Sequence, residues 1–110
     1  TELLSKWDVF FMKDNIFPNW EDPNNRLGGC LSFKISSKDM IDTWGFLLLS
    51  IINESFFSDD NHMINGISIS PKKEFNIIKI WLKDKNYDYK KFFKVNKFLS
   101  LEHSLYKDNI

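Results

Sequence analysis

The chain has one cysteine, two histidines, three prolines and four glycines in 110 residues, and of its fifteen basic residues only Arg26 is an arginine. A lone Cys30 excludes an internal disulfide framework and fits a reducing compartment. His62 and His103 stand far apart, so no metal-ligand set can be assembled, and Ser58-Asp59-Asp60-Asn61-His62 reads as a solvated loop. Neither a nucleophile with a base nor a pair of acids at useful spacing is present, which points to a binding protein without a cofactor rather than an enzyme. No apolar run has the length that crosses a bilayer and no secretory leader is visible, so a soluble, cytoplasmic chain with no membrane partner is expected. In that setting the sequon Asn53-Glu54-Ser55 is a coincidence. Net charge is also lacking: fifteen basic residues balance fifteen acidic ones, which excludes a broad footprint for a nucleic-acid backbone and leaves only local phosphate contacts. Internal repeats and low-complexity linkers are absent.

What is present is apolar. A hydrophobic content of 43% with eleven Phe can fill the core of one domain over residues 1–110. The chain begins with Thr rather than Met, as expected of a piece of a longer polypeptide.

Residues 5–12 suit a strand with Trp7, Val9 and Phe11 on one face. Cys30 to Ile35 alternates as a second strand, with Cys30, Ser32 and Lys34 opposite Leu31, Phe33 and Ile35. Ser36-Ser37 with Asp39 suits a helix cap. From Lys38 the spacing of Met40, Ile41, Trp44, Leu47, Leu48, Ile51 and Ile52 predicts a helix with those residues facing the core. Asp42, Thr43 and Ser50 belong to the opposite face, interrupted by Phe46 and Leu49 near Gly45 and Asn53. Those apolar residues form a docking strip unless another helix covers them.

Residues 66–70 and 76–82 read as two strands joined by a hairpin-like turn carrying Lys72 and Lys73. On the second, Ile78, Ile80 and Leu82 line the core while Ile77, Lys79 and Trp81 share the other face. Lys72, Lys73 and Lys79 are either a small patch for a short polyphosphate or ordinary solvated lysines, and Trp81 is either a ligand contact or core. The run from Tyr87 to Leu99 has the pattern of an amphipathic helix with its lysines in water, and Ser104 to Lys107 is a short strand candidate before an end that frays.

Between the first two strands, residues 14–29 form an irregular segment. Pro18, Pro23, Asn24-Asn25 and Gly28-Gly29 are expected to deny it helix or ladder pairing, with the glycine pair a turn signal and not a phosphate cradle. It carries Trp20 followed at once by Glu21 and Asp22. An indole face attracts flat cationic rings, and an adjacent carboxylate accepts two N–H donors from the edge of such a ring, so the pair suits a protonated or alkylated purine. The other reading has Trp20 folded back over the sheet as an anchor and Glu21 in water.

Lys13-Asp14-Asn15-Ile16-Phe17-Pro18-Asn19-Trp20-Glu21-Asp22, then Asn25-Arg26 and Gly28-Gly29, resembles the Lys-Asp-Gly-Ile-x-Pro-x-Trp-Glu-Asp signature, with its following Asn and Gly-Gly, of the eukaryotic translation initiation factor 4E family of mRNA cap-binding proteins. Trp44, Asn53-Glu54-Ser55-Phe56, Gly66 and Ile78-Lys79-Ile80-Trp81 continue the likeness in the same order, and it fades after Trp81. The resemblance implies an α+β fold, a curved and mainly antiparallel sheet with helices packed on its convex back, here incomplete because Thr1 aligns after the family's first strands and first helix. It implies recognition of the 7-methylguanosine cap in translation initiation. Trp20 would stack on the base, Glu21 would accept its N1 and N2 protons, Trp81 would sit by the methyl, and Lys72, Lys73 and Lys79 would hold phosphate.

Departures from the family pattern go with this. The family has a phosphate-contacting Arg at the position of Lys72 and a Lys at that of Ile77, so the phosphate site is weakened or shifted, with Lys79 as the substitute. The second Trp of the family's stacking sandwich lies before Thr1 and is expected from upstream residues or a separate piece of the same polypeptide; Trp7 does not match it and is expected in the core. The helix around Phe46, Leu49 and Asn53 corresponds to the face that receives a helix of the initiation scaffold or its competitors, though Phe46 replaces what is usually an acid. A cap-independent interaction module using that helix face is the alternative. General single-strand binding would need a wider basic groove than a neutral chain has.

Overall fold

The computed structural model describes residues 8–13 and 15–109. Five strands form one antiparallel sheet: β1 Val9–Met12, β2 Gly29–Ile35, β3 Ile64–Pro71, β4 Asn76–Leu82 and β5 Ser104–Asp108, in the order β1-β3-β4-β2-β5. Trp7 and the start of the expected first strand lie outside the described residues. The turn joining β3 to β4 is closed by the Lys72 N–H donating to the Phe75 carbonyl at 2.8 Å.

Alternation sorts the sheet into two faces. Leu31, Phe33 and Ile35 on β2, Ile67 and Ile69 on β3, and Ile78, Ile80 and Leu82 on β4 are buried on the core face, as the period of two predicts for β2 and β4. Removing each such side chain from water stabilises the fold by roughly 1.5–3 kcal/mol, which fixes the register, since a slip of one residue would turn the set to the other face. Met40, Trp44, Leu47 and Ile51 of the long helix, together with Phe56, Phe57 and Leu99, complete the core.

That helix, Met40–Ile52, packs its core face about one position away from the expected one. Thr43 and Ser50 are buried, whereas Ile41 and Ile52 are 46% and 64% exposed. Seven apolar residues make too wide a stripe to bury at once, and a hydroxyl can go inside when the helix itself satisfies it. Ser50 Oγ donates to the Phe46 carbonyl at 2.8 Å. Nor does Asp39 cap the helix with its side chain; Ser36 Oγ and Asp39 instead close the turn before it.

The expected helix from Tyr87 to Leu99 is a single turn, Tyr89–Phe92. Its aromatics are spent on different neighbours, which no straight helix could reach. Phe93 leaves in extended conformation to bridge Phe57, Tyr87 and Phe92 stack at 5.8 Å, and Asn96 Oδ1 accepts the Phe98 and Leu99 N–H groups in a side-chain turn. The polar loop before β3 is tied down by Asn61, which accepts from the Phe57 N–H and donates to the Phe57 carbonyl, both at 2.9 Å. No helix among the described residues is long and apolar enough to cross a membrane.

Candidate functional site

The sheet face turned away from the core carries a groove of about 660 Å³, and strand register gives its floor. One line across the sheet runs Gly66, Trp81, Cys30, Lys107; the next runs Phe10, Ser68, Lys79, Ser32, Leu105; Ser70 and Ile77 follow. Pro18, Asn19 and Trp20 of the loop between β1 and β2 rise at one side.

That loop is built, not slack. Contrary to the expectation of a wholly irregular segment, Pro23–Arg26 forms a helical turn, labelled α1, with Asp22 at its N-cap and Pro23 in its first turn, where the missing N–H costs nothing. Asp22 is itself buried. One carboxylate oxygen accepts from the Phe17 N–H at 2.9 Å, and the other from the Asn24 N–H at 2.8 Å and the Asn24 amide at 3.0 Å. The Phe17 bond is the foremost reason its carboxyl is held below the ordinary value of 3.8. Asn15 sits at φ 57°, the left-handed region, which explains why a glycine position in the family signature tolerates Asn here.

Asn25 is the hub. Fully buried, it donates from Nδ2 to the carbonyls of Phe17 at 2.8 Å and Asn19 at 2.9 Å, accepts at Oδ1 from Asn65 Nδ2 at 2.9 Å, and its carbonyl accepts from Asn109 Nδ2 at 2.7 Å. The segment before Trp20 is thereby fastened to β3 and to the residue following β5. Sequence reading gave Asn25 as a turn former and as part of the family signature; an Asn three residues after a capping Asp gave no sign of its long-range partners. Gly28 is required by packing, because a Cβ there would run into the Leu82 carbonyl across the sheet, so the glycine pair serves close approach of β2 to its neighbours.

Trp20 is 50% exposed and borders the groove, so it does not fold back beneath the sheet. Glu21, next to it, is exposed and is not among the lining residues. Trp81 lies in the floor, 7% exposed, with its Nε1 donating to Ser68 Oγ at 3.0 Å. It is at once part of the sheet and the base of the groove. Cys30, also in the floor, donates from Sγ to Asn109 Oδ1 at 3.6 Å, and burial pushes its thiol up to about 11.

The lysines divide. Lys79 is half-buried and lines the groove, as the alternation of β4 predicts. Lys72 and Lys73 are exposed on the β3–β4 turn, outside the lining. Phe10, Leu105 and Lys107 also border the groove, and none was singled out beforehand; alternation along β1 and β5 is the signal that assigns them to this face.

On the opposite side of the molecule, Phe46 stacks on Phe98 at 4.9 Å, so a loop residue rather than a helix half-covers it. Leu49 stays 63% exposed, and Asn53 is exposed at the helix C-cap. Ile41, Gly45, Phe46, Leu48, Leu49 and Phe98 outline a shallow apolar depression there.

The family profile described as Eukaryotic initiation factor 4E matches residues 1–107. Eukaryotic translation initiation factor 4E of Saccharomyces cerevisiae is 34% identical over 87 residues, covering 77% of this chain and 40% of the yeast protein. Factor 4E1 of Drosophila melanogaster is 31% identical over 94% of this chain and 44% of its own length. The chain thus spans less than half the length of these relatives. Among solved structures, Ascaris suum eIF4E-3 with m7G cap superposes with a TM-score of 0.65 at 28% identity, over 74% of this chain and 47% of that one. Caenorhabditis elegans eIF4E-3 with the 4E-binding protein Mextli and cap analog gives 0.68 at 27% identity, over 74% and 46%. With the family profile matching nearly the whole chain and the sheet superposing on solved family members, the conclusion is that this chain belongs to the eukaryotic initiation factor 4E family.

Proposed function

We propose that the chain binds the 7-methylguanosine cap of mRNA in translation initiation, as a single unit that forms the C-terminal part of the family fold. The observation that carries this reading is a half-exposed Trp20 at the groove edge followed by an exposed Glu21. N7-methylation makes guanine cationic, so the base is drawn to an indole face, and its N1–H and N2–H become better donors to a carboxylate. Trp20 stacks on the base, Glu21 accepts from its edge, Trp81 lies by the methyl group, and Lys79 takes phosphate. Lys72 and Lys73 stay in solvent. The methyl group is read as charge.

The outer face of the long helix, with Phe46, Leu49 and Asn53, is the proposed seat for an amphipathic helix of the initiation scaffold or a competitor. Its exposed apolar residues and the binding-protein complexes of solved neighbours support that assignment. A module that uses only this face is the weaker reading, since it gives the Trp20-Glu21 pair nothing to do.

The test is intrinsic tryptophan fluorescence titrated with methylated and unmethylated guanosine nucleotide. Charge-assisted hydrogen bonds contribute about 1.5–3 kcal/mol, so the methylated nucleotide should bind about 10- to 100-fold more tightly and Glu21→Ala should remove the difference. Equal quenching by both nucleotides in the unaltered chain refutes base readout.

A further inference from the structure

We propose that Lys107, on the edge strand β5, acts with Lys79 as the cationic clamp for the phosphate chain of the bound nucleotide. The inference rests on the base-binding reading above and adds the residue that the resemblance does not supply. Among the described residues, Lys79 and Lys107 are the basic residues that line the groove. The register sets their spacing. Lys79 pairs with Ser32 on β2, and Lys107 pairs with Cys30, two residues along the same strand and on the same face. With strands about 4.8 Å apart and a rise of about 3.4 Å per residue, the two Cα atoms lie roughly 12 Å apart. Flexible four-carbon stems of roughly 6 Å reach let both ammonium groups converge above Ser32 and Cys30, a gap that suits a di- or triphosphate.

Three further features fit. Trp81 lies on the same line across the sheet as Cys30 and Lys107, so a base beside Trp81 directs its phosphates along that line or the next. Ser68 accepts from the Trp81 indole, which leaves its own O–H free to donate, and Ser32 adds a second hydroxyl beside Lys79. The charge of Lys79 is felt at the Cys30 thiol, where it opposes the upward push of burial. Among the described residues, Asp8 and Asp108 are the acids on the lining, one at the β1 margin and the other after Lys107. They confine phosphate to the strip between them. Lys34 shares this face, but its Nζ sits over the Phe75 ring at 4.3 Å, drawn toward the turn.

The experiment titrates the full chain with 7-methylguanosine nucleoside and its mono-, di- and triphosphates. Affinity should rise with phosphate number. Lys107→Glu should weaken the triphosphate by tenfold or more while leaving the nucleoside unchanged, and Lys107→Arg should restore most of the gain. Lys90→Glu, outside the groove lining, is the charge control and should behave as the unaltered chain. The proposal is overturned if Lys107→Glu keeps the full phosphate gain, if Lys72→Glu with Lys73→Glu removes it instead, or if affinity does not rise with phosphate number at all. Loss of methyl discrimination at the nucleoside level would instead strike the base-binding reading, so the two failures are separable.

Discussion

Trp20→Ala is expected to lower affinity for a 7-methylguanosine nucleotide by about 10- to 100-fold while leaving thermal stability almost unchanged. Stacking of a base on an aromatic side chain contributes roughly 1–3 kcal/mol, and each 1.4 kcal/mol is a factor of ten. An indole that is already 50% exposed gives up little burial when it is removed, and its loop is held by Asp22 and Asn25 rather than by the ring. Surface substitutions of this kind usually stay within about 0.5 kcal/mol of the parent. Trp81→Ala should behave differently, because that indole is buried and donates to Ser68; both melting temperature and affinity should fall. Calorimetric titration alongside a thermal melt separates the two residues. Equal stability losses in both variants would mean that Trp20 is an anchor and not a ligand surface.

Asn25→Ala is expected to lose stability and binding together. The substitution leaves the carbonyls of Phe17 and Asn19 and one Asn65 N–H without their partner in a site that is fully buried. Each stranded group costs about 1–3 kcal/mol, so a total loss of at least about 3 kcal/mol and a fall in melting temperature of at least about 12 °C follow for a domain of this size. The loop that presents Trp20 would then drift, and cap affinity should fall even though Asn25 never touches the nucleotide. Asn24→Ala is the contrast: Asn24 is exposed, and its side chain bonds only to Asp22, so its effect should be small. A melting temperature within a degree or two of the parent for Asn25→Ala would remove the network from the account.

These two residues mark where the sequence could be read and where it could not. Period-two alternation is a local property, so the core faces of β2 and β4, the groove face with Cys30, Ser32, Lys79 and Trp81, and the β5 candidate were all legible. The likeness of the Trp20-Glu21 stretch to a known signature supplied what chemistry alone left open. Long-range decisions were not legible. Which stripe of the long helix goes inside depended on Ser50 bonding its own helix, and the Tyr87–Leu99 pattern was pulled apart by the bridge from Phe93 to distant Phe57 and by the side-chain turn of Asn96. The Asp22-Pro23 pair, a helix start in local terms, was read as a break because Pro18, Asn24-Asn25 and Gly28-Gly29 stand close by. The Asn25, Asn65 and Asn109 linkages join residues far apart in sequence, and nothing in a single chain reveals such partners.

The most direct measurement is the response of the Trp20 indole N–H resonance, in a 15N-labelled chain, to added 7-methylguanosine nucleotide. A large shift is expected at Trp20 and at the Glu21 amide, a smaller one at Trp81, and none at Trp44 in the core. If the nucleotide leaves Trp20 and Glu21 unmoved, or perturbs only the outer face of the long helix around Leu49, the groove is not where the base is read.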